Sequence, residues 1–373
     1  MRKTMLENAR SVFNSASMPM TLDLGELSQA WPVPSRPRSI VCIGAGGIVE
    51  NAHLPAYARL GLPVCGLFDV DAQRAERVSR KFEVERVYAS LSEAVAESDA
   101  VFDLAVPARA VPSVVSQLPR GATVLIQKPL GENLDQAREI VRWCEERQLV
   151  AAVNFQLRFS PNMLALAALV RSGALGDVVD FEVRVNVHTP WQDWPFLSGI
   201  PRHEILYHSV HYLDLARSFL GDPRGVFSRA LRHPSLPDYS DTRSATILDY
   251  GDGCRALVSA FHAHAYGRSH QASELKLEGT RGVAVARMGV NLDYPRGEPD
   301  TLEVCFAGGE WQRVPLRGSW FDHAFEGPMS NLQRFAAGED RELRTRVSDA
   351  YRTMALVEAC YRSSAAGGMP LPE

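Results

Sequence analysis

The chain has 373 residues, 46% hydrophobic and 23% charged, with a net charge of −4. A chain of that length holds about two or three domains, and its slightly acidic balance supplies no basic field for nucleic acid or anionic lipid. No apolar run approaches the ~18 residues of a membrane span, and Met1 to Met20 lacks the apolar centre of a secretory signal, so a cytoplasmic protein without a membrane partner is expected. Cys42, Cys65, Cys144, Cys254, Cys305 and Cys360 are scattered without a CxxC pair, which predicts reduced thiols rather than disulfides or a zinc site.

Residues 1–38 read as an N-terminal extension. They end in Trp31-Pro32-Val33-Pro34-Ser35-Arg36-Pro37, extended chain in which proline forbids a helix, with Leu24 and Trp31 available to lie against the body. From Ser39 short apolar runs alternate with helical periodicity. Strands are predicted at Ser39–Ile43, Pro63–Phe68, Ala100–Val106, Ala122–Ile126 and Val150–Phe155, and helices at Val49–Leu60 and Ala72–Phe82. A further helix opens at Asn133, where Gln136 completes a capping box and Leu134, Ala137, Val141 and Cys144 form an apolar stripe. Such alternation gives a parallel sheet covered on both faces, a Rossmann domain over 39–157.

After Arg158 the texture changes. In Asp177–His188, Val179, Phe181, Val183, Val185 and Val187 alternate with Asp180, Glu182, Arg184 and Asn186, the period of a half-exposed strand. Similar runs recur at Thr242–Tyr250, Cys254–His264, Glu274–Gly279, Gly282–Met288, Thr301–Phe306 and Glu310–Pro315, separated by Gly-rich turns. A helix over Arg202–Leu220 interrupts them, and helices near Phe321–Ala337 and Val347–Ala365 follow. The reading is an α/β chain: an N-terminal Rossmann domain and, over 158–345, a C-terminal α+β domain with a large, mostly antiparallel open sheet. Residues 346–373 supply a helix able to pack back on the first domain. An open sheet face needs a cover, which predicts a homodimer or homotetramer.

Gly44-Ala45-Gly46-Gly47-Ile48, between the first strand and its helix, lets the backbone turn sharply and present N–H groups to a pyrophosphate. Val49 stands at the third glycine position. Asp69 ends the second strand, where a carboxylate accepts hydrogen bonds from an adenosine ribose and repels a 2′-phosphate; an N-cap is its structural alternative. NAD is therefore favoured, with Arg74 leaving NADP open. Lys128, in Gln127-Lys128-Pro129, leaves the end of its strand toward the ligand crevice. A nearby oxidised nicotinamide would lower its pKa toward the range of a proton shuttle; taken alone it also reads as a surface lysine at a strand end. On the Arg202–Leu220 helix, Tyr207, His211 and Asp214 share a stripe at i, i+4 and i+7, which places Asp214 to hold the His211 imidazole; a plain polar stripe is the alternative. His203, His208 and His211 lack the spacing of a zincin, so no metal is expected, and His262, His264 and His270 read as structural or substrate-facing.

These motifs, with His53-Leu54-Pro55, Ala105-Val106-Pro107 and His211-x-x-Asp214 in the same order, resemble the glucose–fructose oxidoreductase / inositol dehydrogenase / rhizopine catabolism (Gfo/Idh/MocA) family from about Ser39 onward. The resemblance implies an NAD(P)-dependent oxidoreductase in which Lys128 and His211 serve the alcohol undergoing hydride transfer, and a cofactor bound at Gly44, Gly46, Gly47, Ile48, Asp69, Arg74, Val106, Pro107, Gln127 and Lys128. The chain departs from the family pattern at Gln127, where a glutamate is usual, at Tyr207, where an aspartate is usual, and at Ala110, where a histidine often stands. The expected substrate is a small carbohydrate, polyol or glycoside, contacted by Arg158, His188, Trp191, Trp194 and His208, with Trp faces stacking on sugar C–H surfaces. Two other readings stay open: glycoside cleavage by transient oxidation, and a non-catalytic nicotinamide sensor.

Overall fold

A computed structural model describes residues 22–372; the expectation for the first twenty residues lies outside them. Six strands form the first sheet: β1 (Ile40–Ile43), β2 (Val64–Phe68), β3 (Arg86–Val87), β4 (Val101–Leu104), β5 (Thr123–Ile126) and β6 (Val150–Val153). They run in the order β3-β2-β1-β4-β5-β6, all pairs parallel. β1, β4 and β5 are buried throughout, which is why their sequences are mostly apolar rather than alternating, with Asp103 of β4 the charged exception. β4 and β6 stop two residues short of the predicted ends. Ala105–Pro107 and Asn154–Phe155 instead turn out at the carboxyl edge, and Pro107 has no N–H to continue a ladder. The crossover direction reverses between β1 and β4, so the ligand crevice of such a sheet lies beyond these two ends.

The second sheet has eight strands: β7 (Val178–Asn186), β8 (Gly225–Leu231), β9 (Arg243–Asp249), β10 (Arg255–Phe261), β11 (Ala272–Gly279), β12 (Gly282–Arg287), β13 (Thr301–Phe306) and β14 (Gln312–Arg313). Their order is β14-β13-β12-β11-β7-β10-β9-β8, with only the β7–β10 pair parallel. β8, absent from the sequence reading, is an edge strand whose buried positions carry Ser228 rather than a run of large apolar residues. Val179 leaves the predicted apolar stripe and is exposed, because the β7–β11 register shifts beside Gly279; an extra residue in one strand turns its side chain off the stripe. From Phe181 the alternation runs as expected.

Helices Pro161–Arg171 and Val210–Leu220 cover the apolar face of this sheet, and Val347–Ala366 lies against β8 and the Leu134–Glu146 helix. The Pro161–Arg171 helix was not evident from sequence, since Met163, Leu164, Ala165, Leu166 and Leu169 bury most of its circumference and leave no polar stripe. The predicted Phe321–Ala337 helix is two, Trp320–Ala324 and Glu326–Ala336, broken at Phe325. One apolar cluster runs from Ile43 and Phe102 through Phe155 and Met163 to Phe181 and Leu275, joining both sheets. Residues before β1 lie on the same body: the Trp31 indole donates to Asp340 at 2.7 Å and packs edge-on against Phe159. No helix among the described residues is long and apolar enough to cross a membrane.

Candidate active site

The first turn after β1 is built for close approach. Gly44 has φ +106°, and a Cβ there would stand 2.3 Å from the Ala105 carbonyl oxygen, so only glycine lets β1 and β4 meet at the switch point. A Cβ on Gly46 would meet nothing within 4 Å, leaving open space above that turn. The N–H groups of Gly46, Gly47 and Ile48 open a helical segment and have no intrahelical carbonyl to bind; with the helix dipole they suit a pyrophosphate. That segment begins as a π-turn over Val49–His53 and continues as an α-helix to Leu60. Asp69 braces the turn, accepting from the Ala45 N–H at 2.8 Å and the Asp71 N–H at 2.9 Å. Asp71, not Asp69, caps the next helix through the Arg74 N–H. Arg74 lies against both carboxylates, 3.4 Å from Asp69 and 3.2 Å from Asp71. Val106 and Pro107 follow β4 on the same edge, and Gln127 folds back so that its side-chain oxygen accepts the Lys128 N–H at 2.9 Å.

Lys128 leaves β5 at this edge. Its ammonium donates to the backbone carbonyl of Tyr207 at 2.9 Å, and among the described residues no carboxylate pairs with it. Burial pushes its pKa down to about 8, because desolvation penalises the charged form. Tyr207 sits inside a π-turn, Ile205–Ser209, that precedes the regular Val210–Leu220 helix. The wider turn breaks the even 100° spacing on which a Tyr207–His211–Asp214 stripe depends. His211 is buried, 7% exposed, against Phe155, with Nδ1 lacking a partner among the described residues. Burial first, and then the Lys128 charge, hold its pKa well below the usual imidazole value, so it is a neutral imidazole beside a lysine.

Asp214 departs from its expected place. Its carboxylate is taken by Arg158, with Nε and Nη2 each 2.6 Å from a carboxylate oxygen, and by the Thr353 hydroxyl at 3.0 Å. It therefore holds Arg158 rather than His211. The same contacts remove Arg158 from the substrate side: it binds Asp349 at 2.9 Å and the Arg344 carbonyl at 2.9 Å. A guanidinium matches a carboxylate in two parallel bonds, and the sequence separation of these partners concealed the match. Trp191 is likewise buried, wedged against His203 with ring centres 4.3 Å apart, so its face is spent on packing. Trp194 is half-buried against Tyr294, and His188 is exposed at a bridge to Ala263. The Tyr207 ring packs near Phe196; burial raises its pKa, Glu132 adds to the rise and Arg109 opposes it. Glu132 and Arg109, from the segments after β5 and β4, thus act electrostatically on Tyr207.

Two further clusters do not emerge from the sequence, where His208 reads only as a substrate contact and His262 as structural or substrate-facing. His53, Tyr57 and Asn154 converge on fully buried Asp103 of β4: His53 Nδ1 and the Tyr57 hydroxyl lie 2.7 and 2.8 Å from one carboxylate oxygen, and Asn154 reaches the other ring nitrogen at 3.1 Å. Glu204, His208 and His262 also meet, with one nitrogen or oxygen of each within 4.8 Å of the others. His262 comes from the chain just beyond β10, so no local spacing announces the group. His264 and His270 lie apart from it, the first donating to the Ser269 carbonyl and the second in a turn with φ +64°.

A doubly wound parallel sheet with a glycine turn at its switch point, an acidic residue ending β2 and a lysine at the end of β5 defines a dinucleotide-binding oxidoreductase. The chain belongs to the GFO/IDH/MocA family: residues 38–155 match "Oxidoreductase family, NAD-binding Rossmann fold" and residues 163–285 match "GFO/IDH/MocA C-terminal domain". It is 26% identical over 345 residues to D-apiose dehydrogenase of Rhizobium rhizogenes, covering 87% of this chain and 94% of that protein. It is 23% identical to inositol 2-dehydrogenase of Rhizobium meliloti, covering 87% and 96%. Among solved structures, levoglucosan dehydrogenase in complex with NADH and levoglucosan superposes with a TM-score of 0.73 at 18% identity, covering 89% of this chain and 98% of that one. The chain is an NAD-binding oxidoreductase.

Proposed function

We propose that this enzyme is an NAD-dependent dehydrogenase of a secondary alcohol in a sugar or polyol, with Lys128 as the group that takes the hydroxyl proton. The observation that carries this reading is the Lys128 ammonium, partly buried at the carboxyl end of β5, bonded among the described residues only to a neutral carbonyl, its pKa lowered to about 8 by desolvation. A general base near the working pH combines availability with proton affinity. His211, neutral and with an unpartnered buried nitrogen, supplies the second contact to the same oxygen. Gly46, Gly47 and Ile48 would hold the pyrophosphate, and Asp69 the adenosine ribose, where its charge disfavours a 2′-phosphate. When bound, NAD supplies the hydride acceptor. The named activities of the relatives, on apiose and inositol, support a polyhydroxylated substrate.

A homo-oligomer fits the second sheet. On its uncovered face Phe227 of β8 is 67% exposed and lies directly opposite half-exposed Ile247 of β9, an apolar pair with no cover among the described residues. The decisive experiment measures NAD and NADP reduction across aldoses, inositols, uronates and glycosides. Turnover of at least one alcohol by wild type, lost in Lys128→Ala with NAD affinity retained, is the expected result. NAD binding with no alcohol oxidised would sink the dehydrogenase reading.

A further inference from the structure

The Glu204, His208 and His262 group is built unlike an ordinary buried ion pair. Glu204 and His262 are fully buried, yet Glu204 Oε2, His262 Nε2 and His208 Nδ1 have no hydrogen-bond partner among the described residues. Buried polar atoms are almost always satisfied, so three orphans in one place call for an occupant. The spacing indicates which. Metal–ligand bonds of about 2.0–2.2 Å in a tetrahedral site set neighbouring donor atoms roughly 3.3–3.6 Å apart. His262 Nε2 and Glu204 Oε1 form a long ion pair at 3.6 Å, the length of one such edge, and the three donor atoms lie within 4.8 Å of one another.

The outer contacts of the two fully buried members have the form that metal ligands use. The second ring nitrogen of His262 is fixed by the Thr189 hydroxyl at 2.8 Å, and Glu204 Oε1 is oriented by the Ser209 hydroxyl at 2.5 Å; such partners set ring tautomer and carboxylate direction in metal sites. Trp191 packs against His262 with ring centres 5.1 Å apart and against His203. The Nδ1 of His203 donates to the Asp241 carbonyl at 2.9 Å, which leaves its buried Nε2 an acceptor without a partner. Trp191 Nε1 is a buried donor without one. Both unpartnered atoms belong to rings that pack beside the triad.

We propose that Glu204, His208 and His262 bind a divalent transition ion of the zinc class and leave its fourth position to an oxygen ligand. Two imidazoles and a carboxylate select Zn²⁺ or Co²⁺ over magnesium or calcium, which demand oxygen sets, and three protein ligands with one open position are the pattern of reactive zinc sites. The site lies next to the lysine, since Lys128 bonds the carbonyl of Tyr207, the residue before His208. It stands without the dehydrogenase reading, and either can fail alone.

The test uses the full chain, stripped with chelator and titrated with Zn²⁺ by calorimetry and with Co²⁺ by visible absorption, NAD binding serving as the check on folding. One equivalent of Zn²⁺ and the intense absorption of four-coordinate Co²⁺ are expected, both abolished in Glu204→Gln and His262→Gln. Thr189→Val, which keeps all three ligands, should weaken Zn²⁺ by about 10–100-fold. Zn²⁺ uptake that is the same in wild type and Glu204→Gln, or a six-coordinate Co²⁺ spectrum, overturns the proposal and leaves a water-bridged Glu–His pair. If both ligand variants fail to bind NAD, the wild-type Co²⁺ spectrum and Thr189→Val decide alone.

Discussion

The helix that begins at Ile205 carries a buried polar cluster at each end, and the two are finished differently. Toward its carboxyl end, Asp214 and Arg217 meet Arg158, Asp349, Asp222 and Thr353, and every one of those side chains finds a partner: Arg217 alone bonds Asp222 at 2.6 Å, Thr353 at 2.7 Å and Asp349 at 2.8 Å. Toward its start, Glu204, His208 and His211 sit with His203, His262 and Lys128; among the described residues the first five each bear a buried atom without a partner, and Lys128 bears a charge without a counter-charge. Unsatisfied buried groups cost about 1–3 kcal/mol each, so a folded chain keeps them where something else uses them. Matched charges at one end join the terminal helix to the body. Unmatched groups at the other gather around the segment whose Tyr207 carbonyl receives Lys128.

The largest expected effect lies on the unmatched side. Lys128→Ala should lower kcat by about 10²–10⁴-fold while leaving the urea midpoint unchanged or higher, since a charge that burial disfavours has been removed. Steady-state kinetics with a substrate found in the alcohol screen, run beside an unfolding curve, measure both. Loss of stability without loss of rate would make Lys128 architectural and erase the contrast.

On the matched side the signs reverse. Asp214→Asn keeps the shape of the side chain but leaves Arg158 buried with a weakened partner, and breaking a buried pair costs about 3–5 kcal/mol. Equilibrium urea unfolding should show that loss, with kcat of the folded fraction within about twofold of wild type (below the tenfold of 1.4 kcal/mol). A large fall in kcat at unchanged stability would return Asp214 to His211 and to the chemistry.

The same contrast explains what was legible in the sequence. Gly44, Asp69 and Lys128 sit at strand ends whose apolar runs are unmistakable, so both their existence and their common edge follow from the pattern of β1, β2 and β5. Asp214 and Trp191 did not read correctly because their partners, Arg158 and His203, are chosen by tertiary packing that leaves no period in the chain. The π-turn at Ile205–Ser209 had the same effect on Tyr207, since helical spacing was extrapolated through a turn that does not keep it. Glu204 and His262 lie on a helix start and the far end of a strand; only the folded sheet brings them together. Local periodicity specifies elements, whereas buried polar partners are matters of register and crossing.

The smallest and most diagnostic effect is the pH dependence of the unmatched lysine. Free Lys128 titrates at about 8 against an ordinary value of 10.5. Below about 8 the ammonium predominates and has no room for the substrate proton, so kcat/KM for alcohol oxidation should fall about tenfold per pH unit there and level off above. Ketone reduction, which needs the ammonium, should show the mirror image. Stability carries the same signature. Below the folded pKa both states hold the proton and the dependence is flat; between about 8 and 10.5 only the unfolded chain holds it, so unfolding free energy from this group rises with pH. Lys128→Met should flatten both curves over that window, whereas substitutions in the Arg158–Asp214 cluster should leave the oxidation profile in place. An oxidation limb that survives Lys128→Met would assign the titrating group elsewhere, with His211 the next to test.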